Sequence, residues 1–230
     1  MSTMKNADIY ITIPMYNDEK MILNVIKDLN NAGYNNIVVV DDGSKDNGYN
    51  VVKDHTNAIV TRHIVNRGQG AALQTGMEIA LDRGAKYIIH FDSDGQHDVK
   101  DLDKMLDTLV KGKYDIVLGS RFIQENKIPL KKKIILRLGI FFTFLLSQIW
   151  LTDVHNGLRV MTAETARKLD LQHDRMEHAS EILDKVKSLN LKYKEVPVTI
   201  HYTDYSQAKG QRISNSINIA MKLISSKLKE

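Results

Sequence analysis

Short apolar runs alternate with amphipathic segments along residues 9 to 118, and this alternation constrains the fold more than any other feature. The run from Ile37 to Val40 is apolar at every position, which is typical of a strand covered on both faces. The segment from Met21 to Leu29 instead repeats its apolar residues every three or four positions, which is typical of a helix with one buried face. Regular exchange of such segments predicts an α/β protein, with a doubly wound, mostly parallel sheet flanked by helices.

The same patterns give approximate bounds for each predicted element. Pro14 is expected to end the first strand because it cannot donate to a ladder, and Gly33 is expected to stop the first helix. No Gly/Ser-rich linker divides the chain, so residues 1–230 are predicted to form a single domain. We predict strands at 9–13, 37–40, 58–61, 87–91, 116–118 and 193–198, and helices at 21–32, 70–83, 102–110, 163–169, 176–189 and 213–228.

Composition excludes several classes of protein. The 230 residues include no cysteine, so disulfides and thiolate metal sites are ruled out. Residues 1–8 contain no apolar stretch of the kind found in signal peptides, and we expect a cytoplasmic protein. The net charge of +4 is modest, and the basic residues are not interleaved with aromatic side chains over a broad face. This argues against nucleic acid as a partner.

A basic and apolar segment at residues 131–151 has two interpretations. Lys131, Lys132 and Lys133 precede an apolar run that ends at Trp150 and Leu151. The run is shorter than the roughly 20 residues that a spanning helix needs. It suits an interfacial helix on an anionic membrane, which would place the protein peripherally on the inner face, and it suits a buried core helix equally well.

The most informative loop follows the strand at 87–91. Asp92 and Asp94 stand at the end of that strand, and open α/β folds bind their ligands at the carboxyl edge of the sheet. Two carboxylates so placed suit a divalent cation, Mg²⁺ or Mn²⁺, that bridges phosphates. The alternative is a solvated turn, because Asp, Ser and Gly are common turn residues.

Other predicted strand ends carry matching chemistry. Asp42 could accept hydrogen bonds from a nucleobase edge, while Arg121 and Lys209 could bind phosphate oxygens. Small residues from Asn66 to Gly70, at a helix start, could let the backbone approach a ligand closely. Together these loops describe a nucleotide-diphosphate site, although neither a P-loop nor a complete dinucleotide fingerprint is present.

As a set, these motifs resemble those of the inverting family 2 glycosyltransferases of the GT-A fold. Within that family the chain is most similar to the polyprenol-phosphate sugar transferases, the dolichol-phosphate mannose synthase group. The motifs that carry the resemblance are Ile13-Pro14-Met15-Tyr16-Asn17-Asp18-Glu19, Val40-Asp41-Asp42-Gly43-Ser44, Asn66-Arg67-Gly68-Gln69-Gly70, Asp92-Ser93-Asp94-Gly95-Gln96-His97 and Gly119-Ser120-Arg121.

The resemblance implies a UDP-, GDP- or dTDP-linked sugar as donor, a divalent metal, and an inverting displacement at the anomeric carbon. Residues 1–121 would bind the nucleotide sugar, and residues 122–230 would receive the acceptor, a polyprenyl phosphate or another lipid-linked group. Asp92, Asp94 and Gln96 would be the metal ligands. The residues implied around the donor are Pro14, Tyr16, Glu19, Val40, Asp42, Asn66, Gly70, Asp92, Ser93, Asp94, Gln96 and Arg121, joined in the second half by Lys132, Arg137 and Lys209.

The acceptor is less clearly indicated. Thr203 stands where the mannose synthases carry an arginine, and the segment from Arg175 to Glu181 is more polar than the resemblance leads us to expect. A lipid phosphate is already anionic, whereas a sugar hydroxyl needs a general base. Asp153, Glu177 and Glu181 are the candidates for that base, and Asp153 and Glu181 join Asp92, Asp94 and Arg121 as predicted catalytic residues. The alternative for Glu177 and Glu181 is an exposed pair on a helix.

Two rival functions stay open at this point. A transferase of the same fold could glycosylate a sugar hydroxyl during assembly of a surface polysaccharide. A nucleotidyltransferase would also place a metal at a strand end, but the chain has no Gly-rich basic loop after its first strand to hold a triphosphate. The sequence does not indicate the oligomeric state.

Overall fold

The structure is a computed structural model that describes residues 8–123, 151–153 and 156–202. The predictions for Lys132, Arg137, Thr203, Lys209, nearly all of the segment 131–151 and the helix 213–228 lie outside these residues. The strands are β1 (Ile9–Met15), β2 (Ile37–Asp41), β3 (Ile59–Arg62), β4 (Tyr87–His90), β5 (Ile116–Ser120), β6 (Arg159–Thr162) and β7 (Tyr193–Pro197). The helices are α1 (Glu19–Asn31), α2 (Gly48–His55), α3 (Gln69–Asp82), α4 (Asp101–Gly112), α5 (Ala163–Leu169) and α6 (His178–Ser188).

Seven strands form one sheet in the order β3-β2-β1-β4-β6-β5-β7. Every pairing is parallel except those of β6, which runs antiparallel between β4 and β5. The predicted doubly wound, mostly parallel sheet flanked by helices is confirmed. The carboxyl ends of β1, β2, β4 and β5 therefore open at one edge, where the polar loops collect.

Three details of the predicted elements were wrong. The helix α2 was not predicted, because its short sequence buries only Gly48 and Val52 and shows no apolar stripe. The strand β6 was not predicted either, since it has four residues and begins with Arg159. Pro14 does not end β1, which continues to Met15. The β1 ladder with β4 stops at the pair Thr12 and His90, so the missing N–H of Pro14 falls beyond it.

Apolar side chains cover both faces of the sheet. One cluster packs α1 and α4 on the sheet through residues such as Ile22, Leu29 and Leu102. The other packs α3, α5 and α6 through residues such as Met77 and Ile182. Among the described parts of the chain, no helix is both long enough and apolar enough to cross a bilayer.

Candidate active site

Asp92 is held at the end of β4 by side chains from two other loops. Its Oδ1 accepts a hydrogen bond from Gln69 Nε2 at 3.0 Å, and its Oδ2 accepts one from His97 Nε2 at 2.9 Å. A Cβ atom on Gly157 would lie 2.3 Å from Oδ2, so only glycine fits there. Burial raises the pKa of Asp92, but the bond and charge of His97 outweigh burial and hold that pKa below its usual value. Asp92 is therefore a fixed, charged carboxylate.

Asp94 is in the opposite electrostatic situation. Gly95 has φ +73°, which turns the loop so that Asp94 Oδ1 accepts the backbone N–H of Gln96 at 3.0 Å. Burial and the neighbouring charge of Asp92 raise the pKa of Asp94 to about 6. An ionised Asp94 is thus unfavourable unless a cation lies nearby.

The donor atoms fit a divalent cation that is shared with a ligand. Among the described residues, no group of three or more His, Cys, Asp or Glu side chains is arranged to hold a metal ion. Mg²⁺ often binds through only one or two carboxylates and completes its shell with phosphate oxygens and water. The mutual repulsion of Asp92 and Asp94 favours such an ion, and Gln96 follows them in the same turn.

This repulsion predicts that Asp94→Asn stabilises the metal-free protein above pH 6. A carboxyl group whose folded pKa is raised from 3.8 to about 6 contributes stability that is lost as the pH rises through this range. After allowance for solvent screening, we expect the variant to gain about 2 kcal/mol in the free energy of unfolding at about pH 8, and to gain nothing at about pH 4. Urea unfolding in the presence of a chelator measures both values.

Asp98→Asn is the matched control, because Asp98 follows in the same loop and its pKa is shifted the other way. Burial raises the pKa of Asp98, but the Lys100 N–H and His201 outweigh burial and hold that pKa below its usual value. Asp98→Asn should therefore weaken the fold at about pH 8. If Asp94→Asn and Asp98→Asn both raise or both lower the free energy of unfolding at about pH 8, the inferred repulsion between Asp92 and Asp94 is contradicted.

Ser93 points away from this turn and into the protein. It is buried, and its hydroxyl donates to Asp18 Oδ2 at 2.6 Å. Asp18 is itself buried at the start of α1, where its backbone oxygen accepts the N–H groups of Met21 and Ile22. The described contact of Ser93 is therefore a link between the loop after β1 and the loop after β4.

Asp42 organises the loop that follows β3. Its Oδ1 accepts the backbone N–H of Arg67 at 2.9 Å, and its Oδ2 accepts that of Gly68 at 2.7 Å. His63 Nδ1 lies 2.8 Å from Oδ1, and Asn66 Nδ2 donates to the backbone oxygen of Asp42. Reading of a nucleobase by Asp42 stays a prediction, and the carboxylate already binds three groups of the chain.

The remaining predicted nucleotide contacts surround the ends of β1 and β2. Pro14 and Val40 are paired in the register of these strands. Glu19 Oε2 accepts the N–H of Asn47 at 3.1 Å, which fixes the loop before α2. Tyr16 follows β1 and is 37% exposed.

The close approach predicted at Gly70 is present, but another part of the protein makes it. A Cβ atom on Gly70 would lie 2.0 Å from the backbone oxygen of His173 and 2.8 Å from Cβ of His178. The N–H of Ala71 donates to the backbone oxygen of Asp174. Binding of a ligand by Gly70 stays a prediction, and the segment before α6 already occupies the space where its side chain would lie.

Arg121 and Asp153 form a buried ion pair at the end of β5. Asp153 Oδ2 accepts the backbone N–H of Arg121 at 3.0 Å and its Nε–H at 2.6 Å. Burial lowers the pKa of Arg121, but the carboxylate of Asp153 outweighs it and raises that pKa above its usual value. Asp153, a predicted base, thus orients the guanidinium that was predicted to face the phosphates.

Arg159 interacts electrostatically with both Asp92 and Asp153. It is buried at the start of β6, and its Nη1 has no hydrogen-bond partner among the described residues. Burial lowers its pKa to about 10, while Asp92 and Asp153 act in the opposite direction. Its positive charge therefore balances the carboxylates of the two loops at once.

Glu181 is not part of an exposed pair. It is buried, and its two oxygens accept the backbone N–H groups of Gln172 and His173 at 2.8 and 2.9 Å. Lys185 Nζ lies 3.1 Å from Oε1. Burial raises the pKa of Glu181, but these donors lower it below its usual value. The alternative of a solvated Glu177 and Glu181 pair is wrong for Glu181, whose carboxylate fixes the segment before α6.

Several partners of the site were missed by sequence reasoning. Gln69, His97 and Glu195 bind residues 23, 5 and 43 positions away, respectively. Gln69 and His97 stand inside quoted motifs, which was the available signal, but nothing in the sequence links Glu195 to Thr152.

Acidic turns and a buried arginine thus lie together at one edge of a mostly parallel sheet. The profile described as "Glycosyl transferase family 2" matches residues 10–169. The chain belongs to the family 2 glycosyltransferases.

Similar proteins span nearly the whole chain. An uncharacterized protein of Methanocaldococcus jannaschii is 42% identical over 234 residues, covering 99% of this chain and 96% of that protein. A UDP-N-acetylglucosamine--dolichyl-phosphate N-acetylglucosaminyltransferase of Methanococcus voltae is 36% identical over 247 residues, covering 98% of each. This similarity confirms the resemblance to the polyprenol-phosphate sugar transferases.

Solved structures confirm the GT-A fold. The glucosyl-3-phosphoglycerate synthase of Mycobacterium tuberculosis, in complex with Mn²⁺, UDP and glucosyl-3-phosphoglycerate, superimposes with a TM-score of 0.72. It shares 15% sequence identity, and the match covers 97% of this chain and 79% of that one.

Proposed function

We propose that this glycosyltransferase moves a hexosyl unit, with inversion, from a nucleotide-diphosphate sugar to a polyprenyl phosphate at the membrane. The observation that carries the proposal is the turn after β4, where burial and the charge of Asp92 raise the pKa of Asp94 to about 6. A bound Mg²⁺ or Mn²⁺ would place a positive charge beside Asp94, and the donor diphosphate would supply further oxygen ligands to that ion.

The acceptor is inferred from similarity along the whole chain and from the state of the candidate bases. The Methanococcus relative, named for dolichyl phosphate and UDP-N-acetylglucosamine, matches 98% of the chain. Glu181 is engaged by three donors, and Asp153 Oδ2 is bound to Arg121. A phosphate acceptor needs no proton removed, so it fits a site whose carboxylates serve other roles.

The roles of the chain's own groups follow from their positions. Asp94 and Gln96 would hold the ion and Asp92 would orient this turn, while Arg121, kept charged by Asp153, would face the diphosphate. A bound divalent ion would supply Lewis-acid stabilisation of the departing diphosphate. Arg121 would add charge-assisted hydrogen bonds that strengthen as negative charge develops on the leaving group.

The membrane part of the proposal rests on the sequence of residues 131–151. Its basic flank and its apolar run with a terminal Trp150 suit a peripheral helix at the inner face of an anionic membrane. Such a helix would bring the active site to the height of lipid phosphates.

The decisive experiment mixes the protein with polyprenyl phosphate in anionic liposomes and, in turn, UDP-N-acetylglucosamine, UDP-glucose, GDP-mannose and a dTDP-sugar. We expect a sugar-charged lipid and free nucleoside diphosphate from one donor, only when Mg²⁺ or Mn²⁺ is present. The first donor to test is UDP-N-acetylglucosamine, because the Methanococcus relative is named for it.

The other outcomes separate the rivals. A product in which a sugar hydroxyl of a lipid-linked oligosaccharide is glycosylated would favour the hydroxyl acceptor and refute the lipid phosphate. Release of pyrophosphate when a nucleoside triphosphate and a sugar 1-phosphate replace the nucleotide sugar would indicate a nucleotidyltransferase.

A further inference from the structure

We propose that Glu195, on the edge strand β7, is a positioning residue for Arg121 and acts on it through Thr152 and Asp153. This inference rests on the proposed function, in which Arg121 faces the donor diphosphate. Glu195 itself has no role in the sequence motifs and does not contact Arg121 in any described hydrogen bond. Its carboxylate instead holds the segment that holds the arginine.

The contacts form a chain of three links. Glu195 Oε1 accepts the Thr152 hydroxyl at 3.0 Å and the Asp153 N–H at 3.1 Å, and both carboxylate oxygens lie 2.9 Å from the Thr152 N–H. Thr152 Oγ1 is also 2.6 Å from Ser120 Oγ. Asp153 then binds the backbone and the Nε–H of Arg121.

The position of Glu195 in the sheet explains why it can do this. Leu118 is its partner in the parallel register of β5 and β7, and Ser120 is the partner of Pro197. The Glu195 side chain thus starts beside Leu118, two residues before β5 ends at Ser120. Because β7 is hydrogen-bonded to β5, the Glu195 carboxylate fixes the position of the segment 151–153 relative to the sheet.

Charge supports the same assignment. Asp153 is 1% exposed at its side chain, so its negative charge is tolerated only because Arg121 and the more distant Arg159 balance it. If the segment 151–153 shifts, Asp153 no longer meets the Nε–H, and the guanidinium loses its fixed orientation. Misplacement by about 1 Å is enough to lower turnover by up to about a hundredfold.

The test compares Glu195→Ala, Glu195→Gln and Lys194→Ala by two measurements. The first is the NMR signal of the Arg121 Nε–H, assigned by its disappearance in Arg121→Lys. We expect this proton to exchange slowly with water in the natural protein and in Glu195→Gln, because glutamine keeps the Oε1 acceptor. In Glu195→Ala it should exchange at least about tenfold faster, as expected for an unconstrained side chain. Lys194 is exposed on the same strand, and its substitution should change nothing.

The second measurement is steady-state transfer of sugar to polyprenyl phosphate. Glu195→Ala should lower kcat about tenfold to a hundredfold while the donor KM changes less than about threefold, and Glu195→Gln should recover most of kcat. In an Arg121→Ala background, Glu195→Ala should cause no further loss, because the group that it positions is gone. If Glu195→Ala does not fold, Glu195→Asp, which withdraws the carboxylate by one methylene, is expected to give the same pattern.

The two measurements keep the failures apart. If no donor gives a glycolipid, the proposed function fails, and the Nε–H exchange still decides whether Glu195 positions Arg121. Unchanged exchange in Glu195→Ala, or an additive loss of kcat in the double variant, would overturn the inference.

Discussion

Replacing Asp94 by alanine is expected to lower kcat on the order of a thousandfold and to abolish metal-dependent binding of the donor. Burial and the charge of Asp92 raise the pKa of Asp94 to about 6, so a bound cation would stabilise the ionised form of this carboxylate. Losing about 4 kcal/mol of charge stabilisation in the transition state corresponds to that factor. Isothermal titration of the nucleotide sugar, with and without Mn²⁺, and a turnover assay measure the two effects.

Asp98→Ala is the control for this substitution. Asp98 lies four residues further along, close to His201, and carries none of the proposed ligand function. It should retain turnover within a few-fold of the natural protein. Normal turnover in Asp94→Ala would sink the assignment of the metal to this turn.

Replacing Arg121 by alanine is expected to lower kcat by about a hundredfold or more, the usual effect of removing one preorganised donor from a developing charge. Arg121→Lys should recover only part of this loss. A lysine keeps the charge, but its single ammonium group cannot bind Asp153 and a phosphate with the fixed geometry of a guanidinium. Transfer kinetics at saturating donor test both variants.

Arg167→Ala is the matched control, because Arg167 is an exposed arginine on α5. It should leave kcat unchanged. Equal rates in Arg121→Ala and Arg167→Ala would contradict the role of Arg121. The Arg121→Ala protein should also be less stable, because buried Asp153 loses its ion-pair partner.

Local patterns were sufficient to predict most of the fold. The strand β2 opens with four consecutive apolar residues, and α1 has a regular apolar stripe, so a few consecutive residues indicate the environment of each. The strand β6 does not, because its place between β4 and β5 depends on distant partners: its Val160 pairs with Ile89, which lies 71 positions earlier in the chain. The antiparallel direction of β6 depends on its neighbours in the sheet and cannot be predicted from its own four residues.

The site could be predicted only as far as its motifs reach. Asp92, Asp94 and Arg121 were placed correctly near strand ends, since each stands within three residues of an apolar run. What their side chains contact could not be predicted. Asp42 was predicted to bind a nucleobase, and its carboxylate accepts hydrogen bonds from the backbone N–H groups of Arg67 and Gly68, which were not predicted. Such contacts are set by how distant loops fold over one another.

The antiparallel strand β6 brings two distant points of the chain to the same edge of the sheet. Because β6 runs against its neighbours, the chain that leaves the sheet after β5 also re-enters it from the same edge. The two points are joined by the bonds from Ser120 to Thr152 and from Arg121 to Asp153. These bonds fix the two points relative to each other. The free-energy cost of closing a loop grows only slowly with its length. A change in the number of residues between Arg121 and Thr152 should therefore cost little stability.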